Sequence, residues 1–129
     1  MNSPGTLLFV EDEESVLKIF KFELERKGYT VLVAKSAQEA LLKCQRHIGP
    51  IHVLLADIFL PKDFQVVGGR IQELAMNGLQ LASRVQAYRP YIRTLFISGH
   101  SREDINALGG LPPGAQFLQK PFEVHDLLR

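Results

Sequence analysis

Ile51-His52-Val53-Leu54-Leu55-Ala56-Asp57 is the stretch on which the fold turns. Apart from His52 it is apolar up to Ala56. It is too short for an ordinary helix and lacks the polar alternation of a strand with one wet face. It reads as a strand, Ile51 to Ala56, buried on both faces and delivered straight into a carboxylate. Ile58, Phe59 and Leu60 follow, so Asp57 stands in sequence that would not tolerate an idle charge. A strand buried on both faces needs similar neighbours, and the chain supplies them. Thr6 to Val10 and Thr30 to Ala34 come before it, and Ile92 to Ile97 and Gln116 to Gln119 come after. Between them lie amphipathic stretches. Glu13 to Lys27 repeats Val16, Leu17, Phe20 and Leu24 at helical spacing, and Gly28 stops it. Ser36, with Glu39 at the capping-box position, opens a second helix that runs to about His47 and is closed by Gly49-Pro50. Leu79 to Tyr88 is a third, stopping before Pro90. Ser101 and Asp104 open a short fourth, to about Leu108, which Gly109-Gly110 and Pro112-Pro113 break. Pro121 begins a last helix that is truncated at Arg129, as if the chain had been cut from something longer.

Strand and helix alternate throughout, which predicts a doubly wound α/β domain: a five-stranded parallel sheet with right-handed crossovers and helices on both faces. At 129 residues the chain is expected to be one domain, large enough to bury a core without staples. Its single cysteine, Cys44, excludes a disulfide framework and favours a reducing, cytoplasmic setting. The N-terminus has no basic n-region or long apolar run, and no stretch approaches the ~20 apolar residues of a membrane span. Fifteen Lys and Arg against fourteen Asp and Glu leave no net field for a phosphate backbone, so neither nucleic acid nor membrane is an expected partner.

In such sheets ligands bind beyond the carboxyl ends of the strands, where strand order reverses; in the order 2-1-3-4-5 that is between strands one and three. The strand ends there carry Glu11 and Asp12 (strand one), Lys35 (two), Asp57 (three), Ser98 (four) and Lys120 (five). Gathered carboxylates repel unless a cation neutralises them, and a hard divalent ion with oxygen ligands is the natural remedy. With Lys120 and Ser98 beside them, the set reads as a phosphoryl-transfer site. Singly, each residue has a plainer reading: Glu11 and Asp12 as first-turn acids, Ser98 as a cap, Lys120 as a surface lysine.

The sequence resembles the receiver domain of two-component response regulators over nearly its whole length. The matching pieces are Leu7 to Asp12, Leu54 to Pro61, Met76-Asn77-Gly78, Phe96-Ile97-Ser98-Gly99 and Gly114 to Phe122. The resemblance implies a flavodoxin-like fold and Asp57 as phosphoacceptor. It makes Glu11, Asp12, Asp57 and the Phe59 carbonyl the ligands of Mg²⁺ or Mn²⁺. Ser98 becomes the switch hydroxyl, Phe117 the switch aromatic, and Lys120 the phosphate-pairing lysine on a cis bond to Pro121. Phe59 and His100 would flank the path of an attacking water. The implied partners are a histidine kinase or histidine phosphotransfer domain, with a receiver homodimer as a further possibility. The domain would be a phosphoacceptor rather than an enzyme, self-catalysing only acyl phosphate formation and hydrolysis. Gly49 to Leu60, Phe96 to His100 and Phe117 to Phe122 look most like receivers at the C-terminus of hybrid sensor histidine kinases.

Two features depart from that pattern. Glu11 stands where Asp is commoner. Gly78 lies 21 residues after Asp57, about thirteen more than the family's spacing, which implies an insertion at about 62–75. Gly68-Gly69 reads as a flexible break and Arg70 to Ala75 as helix-forming, so the expectation is a loop followed by a short helical turn. It would lie near the phosphate, with Lys62 or Arg70 in reach of it. Helix three is expected to start after Asn77-Gly78 rather than extend back through them, since an interior glycine costs about 1 kcal/mol. Among rival functions, an FMN site would be repelled by Glu11 to Glu14, and a haloacid-dehalogenase-type phosphatase needs an acid where Phe59 stands. A receiver-like interaction module that is never phosphorylated is the remaining alternative.

Overall fold

The structure, a computed structural model, describes residues 5–60, 63–74 and 76–120. The elements in chain order are β1 (Thr6–Val10), α1 (Glu14–Arg26), β2 (Thr30–Ala34), α2 (Ala37–Arg46), β3 (Val53–Asp57), β4 (Asp63–Val67), β5 (Arg70–Leu74), α3 (Gly78–Tyr88), β6 (Arg93–Ser98), α4 (Arg102–Asn106) and β7 (Gln116–Gln119). The final helix and the cis bond expected at Pro121 lie outside the described residues.

Five strands form one parallel sheet in the order β2-β1-β3-β6-β7. This is the expected 2-1-3-4-5 order once β4 and β5, which form a sheet of their own, are left aside. Because successive strand residues point to opposite faces, continuous apolar runs build two cores at once. Leu8, Val10, Leu54 and Ala56 face α2 and α3 through Ala40, Cys44, Leu81 and Val85. Leu7, Phe9, Leu55 and Ile97 face α1 through Leu17 and Leu24. Phe20 of α1 meets Phe9 edge to face at 5.9 Å. Each large side chain withdrawn from water this way stabilises the fold by about 1.5–3 kcal/mol. Far from the acidic strand ends, Arg89 donates to the carbonyls of Cys44, His47 and Gly49 at 2.7–3.1 Å, tying the exit of α3 to orphan acceptors at the exit of α2.

Helix entries follow their caps. Ser36 Oγ accepts from the Glu39 N–H at 3.2 Å, while Glu39 reaches back one residue further than expected, to the Lys35 N–H. Asn77 and Gln80 make a complete capping box, so α3 starts at Gly78, one residue before the expected start, and does not extend back through Asn77. The fourth helix is shorter than expected and ends at Asn106.

The expected loop and helical turn at about 62–75 is overturned. The described part, 63–74, is an antiparallel hairpin, with Val67 opposite Arg70 and Val66 opposite Ile71. Gly68 and Gly69 both have positive φ, 58° and 79°, as a two-residue type I′ connection demands. The glycine pair is therefore the turn itself rather than a flexible break. Pairing with Val66 and Val67 outweighs the modest helix propensity of Arg70 to Leu74.

Candidate functional site

Parallel pairing brings the carboxyl ends of β1, β3, β6 and β7 to one edge. Asp57 is the last residue of β3 and only 6% exposed. Its Oδ1 accepts the Phe59 N–H at 3.0 Å, and its Oδ2 lies 3.0 Å from Lys120 Nζ. Lys120 follows β7 and is fixed there by its N–H donating to the Ser98 carbonyl at 2.9 Å. The same ammonium lies 2.6 Å from Glu11 Oε2. That contact is a charge pairing without the alignment of a directed hydrogen bond, and Glu11 Oε2 is buried with no hydrogen-bond partner.

Glu11 is fully buried immediately after β1, where its N–H donates to the Ala34 carbonyl at 3.0 Å. The plainer reading of Glu11 as a helix-entry acid survives only in part, as Oε1 accepts the Glu13 N–H at a long 3.4 Å. Asp12 beside it is exposed. Carboxylate oxygens of Glu11, Asp12 and Asp57 lie within 4.8 Å of one another. Three carboxylates thus face one ammonium, and the cluster can hold a metal ion. Lys35 does not join them. It pairs with Glu14 at 3.5 Å and, with Lys18, holds that carboxyl below its usual range.

Burial pushes the Glu11 carboxyl up to about 7; Lys120 opposes the rise, Asp57 adds to it, and the Glu13 N–H opposes it weakly. Burial alone would lower Lys120, but Glu11 and Asp57 outweigh it and hold the ammonium above its ordinary value. The raised Glu11 value makes stability depend on pH with a definite sign. Below the ordinary 4.5 the folded and unfolded chains both carry the proton; between 4.5 and about 7 only the folded chain keeps it. Stability in chelator therefore falls as pH rises through that window, by on the order of 3 kcal/mol if the whole shift is realised. Glu11→Gln should remove the slope. Urea midpoints for the parent that stay flat from pH 4.5 to 7.5 would show that Glu11 is charged in the folded chain.

Ser98, the last residue of β6, is fully buried, and its Oγ accepts the His100 N–H at 2.9 Å. The His100 ring stacks on Phe59 with centroids 3.9 Å apart. Phe117 on β7 is half-buried against the core, and the Arg102 guanidinium lies over its ring at 5.9 Å. Sequence reading did not find that cation–π contact, nor the role of Gly78. The Gly78 N–H donates to the Ile58 carbonyl at 2.7 Å, and a Cβ at Gly78 would stand 2.2 Å from the Asp57 carbonyl oxygen. The glycine's place in Met76-Asn77-Gly78 marked it, but only the close approach of α3 to β3 explains it.

The response regulator receiver domain family matches residues 7–129. The transcriptional regulatory protein TrcR of Mycobacterium tuberculosis is 32% identical over 128 residues, which cover 98% of this chain and 43% of TrcR. The sensor kinase CckA of Brucella abortus is 31% identical over 129 residues, covering 98% of this chain and 12% of the kinase. The chain spans less than half the length of either relative. In three dimensions it resembles the CheY-like receiver domain protein from Methanospirillum hungatei JF-1, with a TM-score of 0.76 and 28% identity over 98% of this chain and 89% of that one. A match that runs from β1 through every acidic strand end means that this chain belongs to the response regulator receiver domain family of two-component systems.

Proposed function

We propose that Asp57 is the phosphoacceptor of this receiver. The observation that carries the proposal is the convergence of the Glu11, Asp12 and Asp57 carboxylates with the Lys120 ammonium at one sheet edge. An oxygen of Asp57 attacks the phosphorus of a phosphohistidine. The P–N bond breaks, an acyl phosphate forms, and the released imidazole keeps the electron pair and takes up a proton. Lys120, already 3.0 Å from Asp57, pairs with the incoming phosphoryl oxygens. Ser98 Oγ gives up the His100 N–H to meet the phosphoryl group, and the Phe117 ring moves inward as the switch.

The residues fit a divalent cation such as Mg²⁺ or Mn²⁺: the buried Glu11 Oε2 has no hydrogen-bond partner, and three carboxylates face a single ammonium. Asp12, Asp57, Glu11 and the Phe59 carbonyl would hold it. When bound it supplies positive charge to the transferring phosphoryl oxygens. The Phe59–His100 stack then sets the phosphate lifetime, because an apolar ring at Phe59 cannot orient a water for hydrolysis.

The donor is a histidine kinase or histidine phosphotransfer domain, and since such donors are charged from ATP the exchange is cytoplasmic. The likeness to CckA supports a hybrid-kinase parent; the likeness to TrcR supports a transcriptional regulator as the alternative. The test is incubation with acetyl phosphate and Mg²⁺, read by intact mass. One phosphoryl group should be gained, none in chelator, and Phe59→Asn should shorten its lifetime several-fold. A wild-type chain that stays unlabelled under Mg²⁺ would instead favour the interaction module that is never phosphorylated.

A further inference from the structure

The hairpin β4–β5 is the part of the chain that phosphoryl chemistry leaves unused. Its strands pair only with each other, among the described residues, and their outer edges are open. Val66 and Ile71 sit directly opposite one another on one face of the hairpin, yet are 72% and 75% exposed. The cross-strand pair helps to hold the two strands together but leaves most of its apolar surface in water. Exposed apolar surface concentrated at one place marks a contact site.

The position of the hairpin identifies what it contacts. The hairpin starts six residues after Asp57. It returns to Gly78, whose N–H is bonded to the carbonyl of Ile58. Both ends of the hairpin are therefore joined, within a few residues of chain, to the loop that presents the acceptor. Any protein that delivers a phosphoryl group to Asp57 must press its own surface against this loop. A second copy of the chain is a poorer occupant. The hairpin face is about 17 Å long and two strands wide, and two such faces together fall well short of the ~1,200 Å² buried by stable interfaces. A small apolar contact suits a complex that must form and dissociate with each transfer.

We propose that the hairpin is a docking surface for the phosphohistidine-bearing donor, seated through Val66 and Ile71 against an apolar patch beside the donor's histidine, and that it selects among donors. This rests on Asp57 being the acceptor, and the experiment separates the two. The full chain, a Val66→Ser/Ile71→Ser double variant and a chain with 63–74 replaced by Gly-Ser-Gly are labelled with acetyl phosphate. They are then labelled with the source organism's purified, phosphorylated histidine kinase and phosphotransfer domains. The donor fastest on the parent chain is carried forward.

Both variants should match the parent with acetyl phosphate within about twofold. With the protein donor, both should lose at least tenfold in kcat/KM, mainly through KM. Unchanged transfer from the protein donor overturns the docking proposal. So does an equal loss with both donors, which would place the hairpin in the chemistry. A parent that takes phosphate from acetyl phosphate and from none of the organism's donors overturns it too. So does a dimer seen by sedimentation that the serines dissolve while transfer is unaffected, since the face then belongs to a second copy. Failure of the parent with acetyl phosphate and Mg²⁺ counts against Asp57 as acceptor, independently of the hairpin.

Discussion

Asp57→Asn reduces phosphoryl labelling to background while the chain stays folded. The amide that replaces the carboxylate is neutral and a poor nucleophile, so no acyl phosphate forms at this position. Asp57 lies among Glu11, Asp12 and Lys120, and the substitution relieves repulsion inside the cluster. In chelator the variant should therefore melt no lower than the parent, and Glu11 should titrate closer to its ordinary value because the Asp57 charge no longer adds to its rise. The stabilisation that Mg²⁺ gives the parent should shrink, since one ligand is gone. Labelling that continues at the parental rate would move the acceptor elsewhere. Labelling lost together with the cooperative unfolding transition would mean that Asp57 is needed for folding.

Gly78→Ala carries the largest expected cost in stability. The added methyl would stand 2.2 Å from the Asp57 carbonyl oxygen, 2.8 Å from Ile58 Cα and 2.9 Å from the Asp57 carbonyl carbon. All three are backbone atoms, so no side chain can swing aside. Either α3 or the loop after β3 must shift, breaking the 2.7 Å bond from the Gly78 N–H to Ile58. Overpacking of this kind costs about 3 kcal/mol, on the order of 10 °C in Tm for a domain of this size. Labelling at Asp57 should slow as well, because the displaced atoms belong to the acceptor itself. A Tm within 2–3 °C of the parent, roughly 1 kcal/mol, would show that α3 and β3 are less tightly seated.

The sheet was legible because its strands are buried on both faces, and that burial leaves an apolar run with a sharp end. Thr6–Val10, Thr30–Ala34 and Gln116–Gln119 were placed to the residue. Asp57 and Ser98 were expected just after their strands and prove to be the last residues within them, where ladder partners hold them. The site was legible for the same reason, since strand ends of a parallel sheet must converge. What escaped was what depends on contacts between distant residues. Glu11 is fully buried beside Lys120, which is distant in the chain, and no local pattern separates it from Glu13 or Glu14. The hairpin escaped because Arg70 to Ala75, taken alone, consists of good helix formers, whereas the strand state of Arg70–Leu74 depends on pairing with Val66-Val67 across the Gly68-Gly69 turn. A two-glycine connection between Val66-Val67 and Ile71 carried the hairpin signal.

Gly78 also fixes where the chain must re-enter the domain. Once the Ile58 carbonyl has received the Gly78 N–H and Asn77 has capped α3, the atoms of the acceptor loop are set by contacts on either side of the intervening segment. Closure entropy rises only slowly with segment length, about 0.6 kcal/mol per doubling. The position is thus a splice point. A folded reporter with neighbouring termini can be inserted between Gly68 and Gly69 without displacing Asp57, keeps Val66 and Ile71 in place, and would turn the arrival of a partner at this loop into an optical signal.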